Sequence, residues 1–509
     1  MACLFHLPSI ISVMVNIDKR IYTPADVREM DRIAIEEQGI AGYTLMSRAG
    51  AAAYADIRDR FPAAKRWLVA CGAGNNAGDG YVIARLALDA GIDVTTAALS
   101  DPQQLRGDAQ RAWQDFQEHG GHTIPFQPEL PGAADIVIDA LLGTGIDRPV
   151  SGAYRDAIEA ICRESAPVVA IDMPSGLNGE TGAVMGRAVN ADLTVTFVGL
   201  KQGFYLAAGP DHVGAIRFHD LEIPQAAVAG IQPTLCRFLG DDLVALLPPR
   251  SSTDHKGRFG HVLIVGGNRG MGGAAKLAGE GALRSGAGLV SVAAHPEVVA
   301  VVGADRPELM VRGVGTGPDD LDILLERASV IALGPGLGQD DWSRGLLERV
   351  FAASQPKVLD ADALNLLAAA PKHRDDWILT PHPGEAATLL GRSTVDIQAD
   401  RLGALRDLNA RYGGVAILKG HGTLIGAADE LPFLVDRGNP GMATAGMGDV
   451  LTGIVAGILA QRPERPLVAA AAAVFAHAVA GDRASVRGQR GLIAGDLFTE
   501  LRAVLNQLP

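Results

Sequence analysis

Short apolar segments that each end in a glycine-rich or polar loop recur along the chain and constrain its fold more than any other feature. After an opening helical pattern at Pro24–Gln38, the first half carries them at Trp67–Cys71, Asp93–Leu99, Asp135–Leu141, Pro167–Asp172 and Leu193–Val198. A second series occupies His261–Val265, Gly288–Ala294, Ser329–Leu333, Lys357–Leu359, Trp377–Leu379 and Val415–Leu418. Strands that alternate with helices predict parallel sheets covered on both faces.

This alternation lapses once, between Ala227 and Leu235, and the chain is proline-rich at Pro248–Arg250. The two series share an architecture but no repeated motif. We therefore predict two different α/β domains rather than a duplication. The first is a Rossmann-like doubly wound domain over residues 1–230, in which residues 1–20 form a ragged leader, and the second covers residues 236–509.

Composition limits the partners of this 509-residue chain. The formal net charge is −13 and aromatic residues make up 5%, which argues against a nucleic-acid partner. The four cysteines lie far apart without a CxxC pair, which favours a reducing, cytoplasmic setting over a zinc site or a disulfide framework. The apolar run Leu467–Ala480 falls short of the ~20 residues that a membrane span needs, so no membrane partner is expected.

The loop Gly72–Gly80 (GAGNNAGDG) follows a predicted strand and opens a predicted helix. Free backbone N–H groups at such a helix end can hold a phosphate group. The glycine register differs from that of a dinucleotide-binding fingerprint because Ala77 stands where a glycine is expected. The loop is thus a candidate nucleotide site, with a merely tight turn as the alternative.

Two further strand ends in the first half carry oxygen-rich loops, Asp139–Gly145 and Asp172–Gly176. Because the carboxyl ends of the strands share one crevice in a doubly wound sheet, all three loops can converge. Asn76, Asp139 and Ser175 would then offer oxygen ligands with a single full negative charge. Such a set suits a weakly bound monovalent cation better than zinc.

Asp172 lies at the end of its strand and is a candidate acid or base, with Asp192 and Lys201 as supporting charges further along the chain. A helix cap is the alternative role for a single aspartate at a strand end.

The NNxGDG, DALLGTG and DxPSG series resembles the N-terminal epimerase domain of the bifunctional NAD(P)H-hydrate repair enzymes, which usually have NNGGDG where this chain has Ala77. The resemblance implies that the domain interconverts the R and S hydrates of NADH and NADPH and binds K⁺ through Asn76, Asp139 and Ser175. The substrate contacts that it implies are Asn75, Asn76, Ala77, Gly78, Asp79, Gly143, Thr144, Gly145, Ile146, Asp147, Arg148, Pro149 and Asp172.

In the second half, the loop Gly438–Asp449 (GNPGMATAGMGD) precedes a predicted helix of small apolar residues, Val450–Ala460. Glycines let the backbone approach an anion, and the helix N-terminus supplies N–H groups. The charge of Asp449 opposes phosphate. It makes sense if Asp449 takes a proton from an attacking hydroxyl while the helix end stabilises a transferring phosphoryl group. The alternative is that Asp449 caps the helix.

Four more strand ends carry polar or glycine-rich loops, namely Gly334–Gly338, Asp360–Asn365, Thr380–Glu385 and Lys419–Thr423. The carboxylates of Asp360 and Asp362 could hold Mg²⁺ through water. The Lys419–Thr423 loop can line the phosphates or ribose of a nucleotide, whereas a lone His382 is more often structural. No P-loop motif occurs in the chain.

The motifs LGPGLG, LDADALN, TPHPGE, KGxxT and GNPGMATAGMGD together resemble the ribokinase-like, ADP-dependent NAD(P)H-hydrate dehydratase of the same repair family. The resemblance implies that ADP is the phosphoryl donor, that Mg²⁺ binds together with ADP, and that Asp449 acts as the general base. The S hydrate is phosphorylated on its hydroxyl and then expels phosphate, which restores NAD(P)H and leaves AMP.

The same resemblance assigns contacts residue by residue. The implied nucleotide contacts are Lys419, Gly420, His421, Gly422, Thr423, Asn439, Pro440, Gly441, Met442, Ala443, Thr444, Ala445, Gly446, Met447 and Gly448. The implied hydrate contacts are Ala274, Ala275, Gly336, His382, Pro383, Gly384, Glu385, Thr388 and Asp449.

Three other functions compete with this one. A ribokinase-like kinase of a small alcohol or vitamin precursor would share the second-half machinery but leave its product phosphorylated. An RNA-processing scaffold is disfavoured by the complete set of polar loop residues and by the lack of basic or aromatic patches. A Rossmann dehydrogenase is disfavoured by the glycine register. We expect a homo-oligomer that acts on small molecules.

Overall fold

A computed structural model describes residues 19–128, 134–315 and 319–507 of the chain. The chain divides into two compact units, Met1–Leu235 and Cys236–Pro509. Residues 1–18 of the predicted leader lie outside the described residues, and Arg20 already begins the first strand.

The first unit alternates strands and helices. Its strands are β1 (Arg20–Tyr22), β2 (Arg66–Cys71), β3 (Asp93–Ala98), β4 (Thr123–Pro125), β5 (Ile136–Ala140), β6 (Val168–Ile171), β7 (Leu193–Phe197), β8 (Leu200–Lys201) and β9 (Ala215–His219). Its helices are α1 (Pro24–Arg32), α2 (Gly42–Arg60), α3 (Asn75–Asp89), α4 (Gly107–Glu118), α5 (Gly152–Arg163), α6 (Gly209–His212) and α7 (Gln225–Ala229).

Seven of these strands form one parallel sheet in the order β4-β3-β2-β5-β6-β7-β9, and β1 pairs with β8. Alternate residues of β2 explain why both faces are covered. Trp67 and Val69 belong to one hydrophobic cluster, whereas Leu68 and Ala70 belong to another. The strand order reverses between β2 and β5, so the loops that follow these two strands border one crevice.

The second unit repeats the alternation over a larger sheet. Its strands are β10 (Leu235–Arg237), β11 (His261–Val265), β12 (Leu289–Ala294), β13 (Met310–Gly313), β14 (Val330–Leu333), β15 (Lys357–Leu359), β16 (Trp377–Leu379), β17 (Val415–Leu418), β18 (Thr423–Ala427) and β19 (Phe433–Val435). Its helices are α8 (Gly240–Leu246), α9 (Gly272–Arg284), α10 (Val299–Gly303), α11 (Asp319–Arg327), α12 (Asp341–Ala352), α13 (Asp362–Ala369), α14 (Pro383–Leu390), α15 (Thr394–Ala399), α16 (Arg401–Tyr412), α17 (Met447–Gln461), α18 (Pro466–Ala484) and α19 (Leu497–Leu505).

The strands of this unit are ordered β13-β12-β11-β14-β15-β16-β17-β18-β19-β10. Pairing is parallel from β13 to β17, antiparallel on both sides of β18, and parallel again between β19 and β10. The two-domain α/β fold class is therefore confirmed. The order reverses between β11 and β14, which places the loops after these strands at a second switch point.

One predicted helix changes type along its length, and another begins earlier than predicted. The helix predicted over Pro24–Gln38 is α-helical only to Arg32 and continues as a π-helical turn over Ile33–Glu37. The helix predicted from Val450 begins at Met447, because Gly446 adopts a left-handed conformation at φ 86° and caps it. Asp449 therefore lies in the first turn of α17 rather than in the preceding loop.

One apolar helix of the described residues is long enough to cross a membrane. It spans Pro466–Arg487 and is longer than the apolar run visible in the sequence, so length alone does not exclude a span. However, 72% of its most apolar window is buried within the unit, as in the core helix of a globular fold.

Close contact between α9 and α17 depends on glycine. A Cβ atom added to Gly453 would lie 1.9 Å from the carbonyl oxygen of Ala278. We expect Gly453→Ala to lower the free energy of unfolding of the second unit by about 2–3 kcal/mol, because backbone cannot easily move away. Denaturant unfolding measures the change.

Gly345 is the matched control for this prediction. It lies in α12 with open space around it, so Gly345→Ala should raise the free energy of unfolding by about 0.5–1 kcal/mol. Equal effects of the two substitutions would contradict the packing argument.

Candidate functional sites

A cavity of about 470 Å³ lies at the carboxyl edge of the first sheet. It is lined by the loops after β2 and β5, by the residue that follows β6, by Lys201 of β8 and by one face of α1. The three loops singled out from the sequence therefore meet, as expected for the switch point of a doubly wound sheet.

Gly72 lets the first two of these loops approach each other. A Cβ atom at this position would lie 1.9 Å from the carbonyl oxygen of Leu141. The following helix α3 starts at Asn75, so the residues of the NNAGDG motif form its first turns. Ala77 is helical and fully buried, and its methyl group needs no left-handed backbone.

Asn76 is the unpartnered polar group of this site. Its side chain is buried, and neither amide atom has a hydrogen-bond partner among the described residues. A buried amide without a partner costs free energy unless a ligand or ion completes it. Asn76 therefore marks a binding position on the cavity wall.

Asp139 and Ser175 form a buried polar pair beside this amide-bearing helix. The Ser175 hydroxyl donates to Asp139 Oδ1 at 2.6 Å, and the Ser175 backbone N–H donates to Oδ2 at 2.8 Å. Burial raises the pKa of Asp139 to about 6, although these hydrogen bonds oppose the shift. The pair holds the loops after β5 and β6 together.

Asp172 carries the charge at the end of β6. Its backbone is left-handed at φ 62°, a conformation that aspartate tolerates better than most residues. The buried Lys201 ammonium lies 2.5 Å from Asp172 Oδ1 and also donates to Thr196 Oγ1 and to the Phe197 carbonyl oxygen. All three N–H donors of Lys201 are thus used.

Sequence reasoning missed Asp108 of α4, which lines this cavity, and it also missed the carboxylate of Asp31 on α1. Burial raises its pKa to about 6, with Lys201 opposing the shift and Asp172 adding to it. Burial and the charges of Asp172 and Asp31 hold the pKa of Asp79 well above its ordinary value. No motif marks Asp31, and only the packing of α1 over the sheet edge brings it here.

Of the other substrate contacts predicted for the first unit, some line the cavity and some do not. Gly143, Thr144 and Gly145 line the cavity together with Asn75 and Asp79. The segment Ile146, Asp147, Arg148 and Pro149 does not contribute to its lining, and the carbonyl oxygen of Ile146 accepts a hydrogen bond from Asn178.

The second unit has its own candidate site, a cavity of about 350 Å³ at the N-terminus of α17. Predicted nucleotide contacts from both segments line it, namely Lys419, Gly420, His421, Thr423, Asn439, Pro440, Met442, Ala443, Met447 and Gly448. Arg437, Leu451, Val474, His477 and Ala478 also line it and were not predicted. The α18 residues among them belong to an alanine-rich helix whose sequence carries no functional signal.

Lys419 brings a positive charge to the N-terminus of α17. A Cβ atom added to Gly448 would lie 3.4 Å from Lys419 Nζ and 3.6 Å from Asp360 Oδ2. Lys419 Nζ donates to Asp360 Oδ1 at 2.9 Å and lies 3.7 Å from Glu385 Oε2. The helix end and the ammonium together favour a phosphate group at this point.

Asp360 holds Lys419 in place. Its second oxygen, Oδ2, accepts a hydrogen bond from Thr452 Oγ1 at 2.7 Å. Burial opposes its charge, but Lys419 and Thr452 hold the pKa of Asp360 below its ordinary value. Asp360 is therefore the charged partner of Lys419. Both of its carboxylate oxygens already accept hydrogen bonds, which disfavours direct coordination of a metal ion by Asp360.

Asp449 has a raised pKa that bears directly on its predicted role as a base. Burial raises its pKa to about 7, with Asp360 adding to the shift and Lys419 opposing it. A carboxylate with this pKa is poised to accept a proton near neutral pH. No side-chain cap interaction is found at the start of α17, so the capping alternative is not supported.

His382 has a structural role. Its Nδ1 accepts hydrogen bonds from the backbone N–H groups of Gly384 and Glu385, which makes it the N-cap of α14. Glu385 completes a capping box by accepting from the His382 backbone N–H at 2.8 Å. The same arrangement aims Glu385 at Lys419.

The loop after β14 holds Gly336, one of the predicted hydrate contacts. A Cβ atom added to Gly336 would lie 3.1 Å from Ala274 Cβ, so these two predicted residues are neighbours. The Gly338 N–H donates to Asp362 Oδ2 at 2.8 Å, which ties this loop to the start of α13.

Comparison with known proteins gives the same relatives for both units. A family profile described as NAD(P)H-hydrate dehydratase matches residues 262–502, and one described as YjeF-related protein N-terminus matches residues 42–203. The chain is 45% identical over 487 residues to the bifunctional NAD(P)H-hydrate repair enzyme Nnr of Coxiella burnetii, covering 96% of this chain and 99% of the relative.

The Escherichia coli K12 enzyme of the same description is 43% identical over 493 residues, covering 97% of this chain and 95% of the relative. A solved ADP/ATP-dependent NAD(P)H-hydrate dehydratase from Bacillus subtilis, co-crystallized with ATP and Mg²⁺, is 30% identical with a TM-score of 0.48 and covers 53% of this chain and 98% of its own.

Proposed function

Since the chain belongs to the family of bifunctional NAD(P)H-hydrate repair enzymes, we propose a division of labour between its two sites. The chain repairs hydrated NADH and NADPH as an isomerase and a lyase. The cavity of the first unit interconverts the R and S hydrates, and the site at α17 dehydrates the S hydrate.

Dehydration needs activation because hydroxide is a poor leaving group. Asp449 takes the proton of the substrate hydroxyl, whose oxygen attacks the β-phosphorus of ADP and breaks the bond to AMP. The N–H groups of the first turn of α17 and the Lys419 ammonium stabilise the transferring phosphoryl group. The ring nitrogen then expels phosphate, which restores the dihydronicotinamide.

The observation that carries this assignment is the placement of Asp449. A partly buried carboxylate with a pKa of about 7 lies in the first turn of a helix, beside a fixed ammonium group and next to residues that line a cavity of about 350 Å³. If this helix end served only to bind an anion, a carboxylate at this position would repel the ligand. A site that deprotonates the hydroxyl of a phosphoryl acceptor, in contrast, requires a base such as this carboxylate.

We assign ADP as the phosphoryl donor, bound by the lining residues of this cavity. Mg²⁺ bound with the nucleotide would supply charge neutralisation on its phosphates. Asp362 and Asn365 lie at the start of α13, where they can hold that ion through water, whereas Asp360 is engaged by Lys419 and Thr452.

K⁺ is the proposed ion of the first unit. The unpartnered Asn76 amide supports a ligand at this position, and the oxygens of Asp139 and Ser175 add one full negative charge. An oxygen set of this charge fits a monovalent cation. When bound, K⁺ would fix the loop that holds the hydrated nicotinamide, while Asp172 acts as an acid or base towards that substrate. We also expect a cytoplasmic homo-oligomer.

One assay tests both sites. Chemically hydrated NADH is incubated with the protein, Mg²⁺ and K⁺, and the dihydronicotinamide absorbance is followed. We expect recovery only with ADP, and we expect replacement of K⁺ by tetramethylammonium to halt recovery once the initial S hydrate is consumed. Asn76→Ala should behave like removal of K⁺.

The controls separate the two assignments. An absence of recovery with ADP would overturn the dehydratase site, and a product that keeps its phosphate would indicate a kinase. Full recovery of both hydrates without K⁺, above the rate of the buffer alone, would overturn the K⁺ site.

A further inference from the structure

Helix α1 presents an acidic residue to the epimerase cavity that neither motif nor resemblance assigns. Val27, Arg28, Asp31 and Ile35 of this helix and the turn after it line the cavity, so one helical face covers the site. Arg28 Nη1 donates to the carbonyl oxygen of Thr144 at 3.4 Å, which links this face to the loop after β5. The π-helical turn follows immediately, a feature that is frequent at functional sites.

The cavity contains more carboxylates than cations can neutralise. Asp31, Asp79 and Asp172 line it with Lys201, and the Lys201 ammonium is held by Asp172, Thr196 and the Phe197 carbonyl. In the described part of the chain, neither Asp31 nor Asp79 has a side-chain hydrogen bond or an ion pair. Like charges packed together retain protons, so a protonated carboxyl and a carboxylate coexist here.

We propose that Asp31 is a catalytic acid–base residue of the epimerisation and works as the partner of Asp172. This inference rests on the proposed assignment of the epimerase reaction to this cavity. A pair of such groups is what the chemistry demands. Inversion at the carbon that bears the hydroxyl requires loss of oxygen from one face and addition of water to the other, and one carboxyl group cannot reach both faces.

The steps balance with solvent water as the only co-reactant. The Asp31 carboxyl donates its proton to the ring hydroxyl, the C–O bond breaks, and the ring nitrogen lone pair forms a C=N⁺ bond as water leaves. Water then adds to the opposite face, a new C–O bond forms, and the proton of that water passes to the Asp172 carboxylate. The reverse conversion uses the same groups with their protonation exchanged.

The charges that face Asp31 set its pH dependence. They are Arg28 of its own helix, Asp79 of α3, Asp108 of α4, and the Asp172–Lys201 pair. The exchange reaction needs a singly protonated Asp31–Asp172 pair, so its rate should fall as pH rises above about 6, where Asp31 loses its proton.

Asp31→Asn tests the proposal, with Glu29→Gln as the matched loss of a carboxylate from the same helix, because Glu29 is exposed and does not line the cavity. We expect Asp31→Asn to slow R/S exchange about 100-fold or more and to abolish the decline above pH 6. ADP-dependent dehydration of the S hydrate by the same molecule should be unchanged. Glu29→Gln should keep exchange within about threefold of the wild type.

Asp31→Asn should fold at least as stably as the wild type. A carboxyl group whose pKa is raised on folding loses stabilisation as pH rises through its folded pKa, so Asp31→Asn should unfold at no lower temperature than the wild type at pH 8. Exchange within about threefold of the wild type, or an unchanged pH profile, overturns the role of Asp31. An equal loss in Glu29→Gln also overturns it. Absence of R/S exchange in the wild type would instead contradict the proposed function.

Discussion

Asp449→Ala abolishes dehydration while R/S exchange continues. We expect the rate of ADP-dependent recovery to fall about 10³-fold, because the general base of the phosphoryl transfer is lost and the helix end with Lys419 remains. The first unit supplies an internal control in the same molecule, since its exchange reaction uses none of the α17 residues. Chiral separation of the two hydrates measures exchange, and absorbance measures dehydration.

The pH profile adds a second test of Asp449. A general base acts when ionised, so the wild-type dehydration rate should rise with pH through about 7, the pKa that burial gives Asp449. Because this pKa is raised on folding, ionisation above it destabilises the unit, and Asp449→Asn should be at least as stable as the wild type at pH 8.

The matched control is Asp341→Asn. This residue is also a carboxylate in the first turn of a helix, α12, but, unlike Asp449, it is exposed. We expect dehydration by this variant to match the wild type. A loss in both variants would point to a general electrostatic effect, and retained dehydration in Asp449→Ala would remove Asp449 from the mechanism.

The Asp172–Lys201 pair allows stability to be separated from catalysis. We expect Asp172→Ala to lower the free energy of unfolding of the first unit by about 3–5 kcal/mol, because it leaves the fully buried Lys201 ammonium without its carboxylate. The left-handed backbone at Asp172 adds strain for alanine. Hydrogen exchange of the peptides that contain β6 and β7 measures this loss.

Asp172→Asn is the informative comparison. Asparagine tolerates the same backbone and still offers an amide oxygen to Lys201, so it should cost much less stability. Both variants should nevertheless slow R/S exchange by about 10²–10⁴-fold, since neither can take up the proton. Exchange that tracks stability across the two variants would assign Asp172 a purely structural role.

Much of the fold was predictable from local pattern. The inner strands are short runs of residues buried on both faces, and a run such as Val330–Leu333, which is fully buried between two parallel neighbours, is typical of a parallel sheet covered on both faces. The antiparallel inner strands β18 and β19 were not predicted, and neither were the edge strands β4, β9 and β13. β9 is only partly buried and β4 has two exposed residues, so neither has an apolar pattern to read.

The loops of the candidate sites were also predictable, because a strand that ends in glycine or a polar side chain leaves backbone and oxygen atoms at the sheet edge. That pattern identified Asn76, Asp172, Lys419 and Asp449 as residues of two crevices. It could not reveal that the segment after Gly145 turns away from its cavity, since the spacing of those residues carries no directional information.

Sequence pattern therefore established the residue types at each strand end, and these residue types indicated the classes of ligand. Which charges face one another was decided by tertiary packing alone. Asp31 reaches the cavity because α1 packs over the sheet edge. Lys419 is directed at Gly448 because Asp360, which accepts a hydrogen bond from Thr452, also binds the Lys419 ammonium. Protonation depends on burial and on charges far away in the chain, and no local run of residues encodes either.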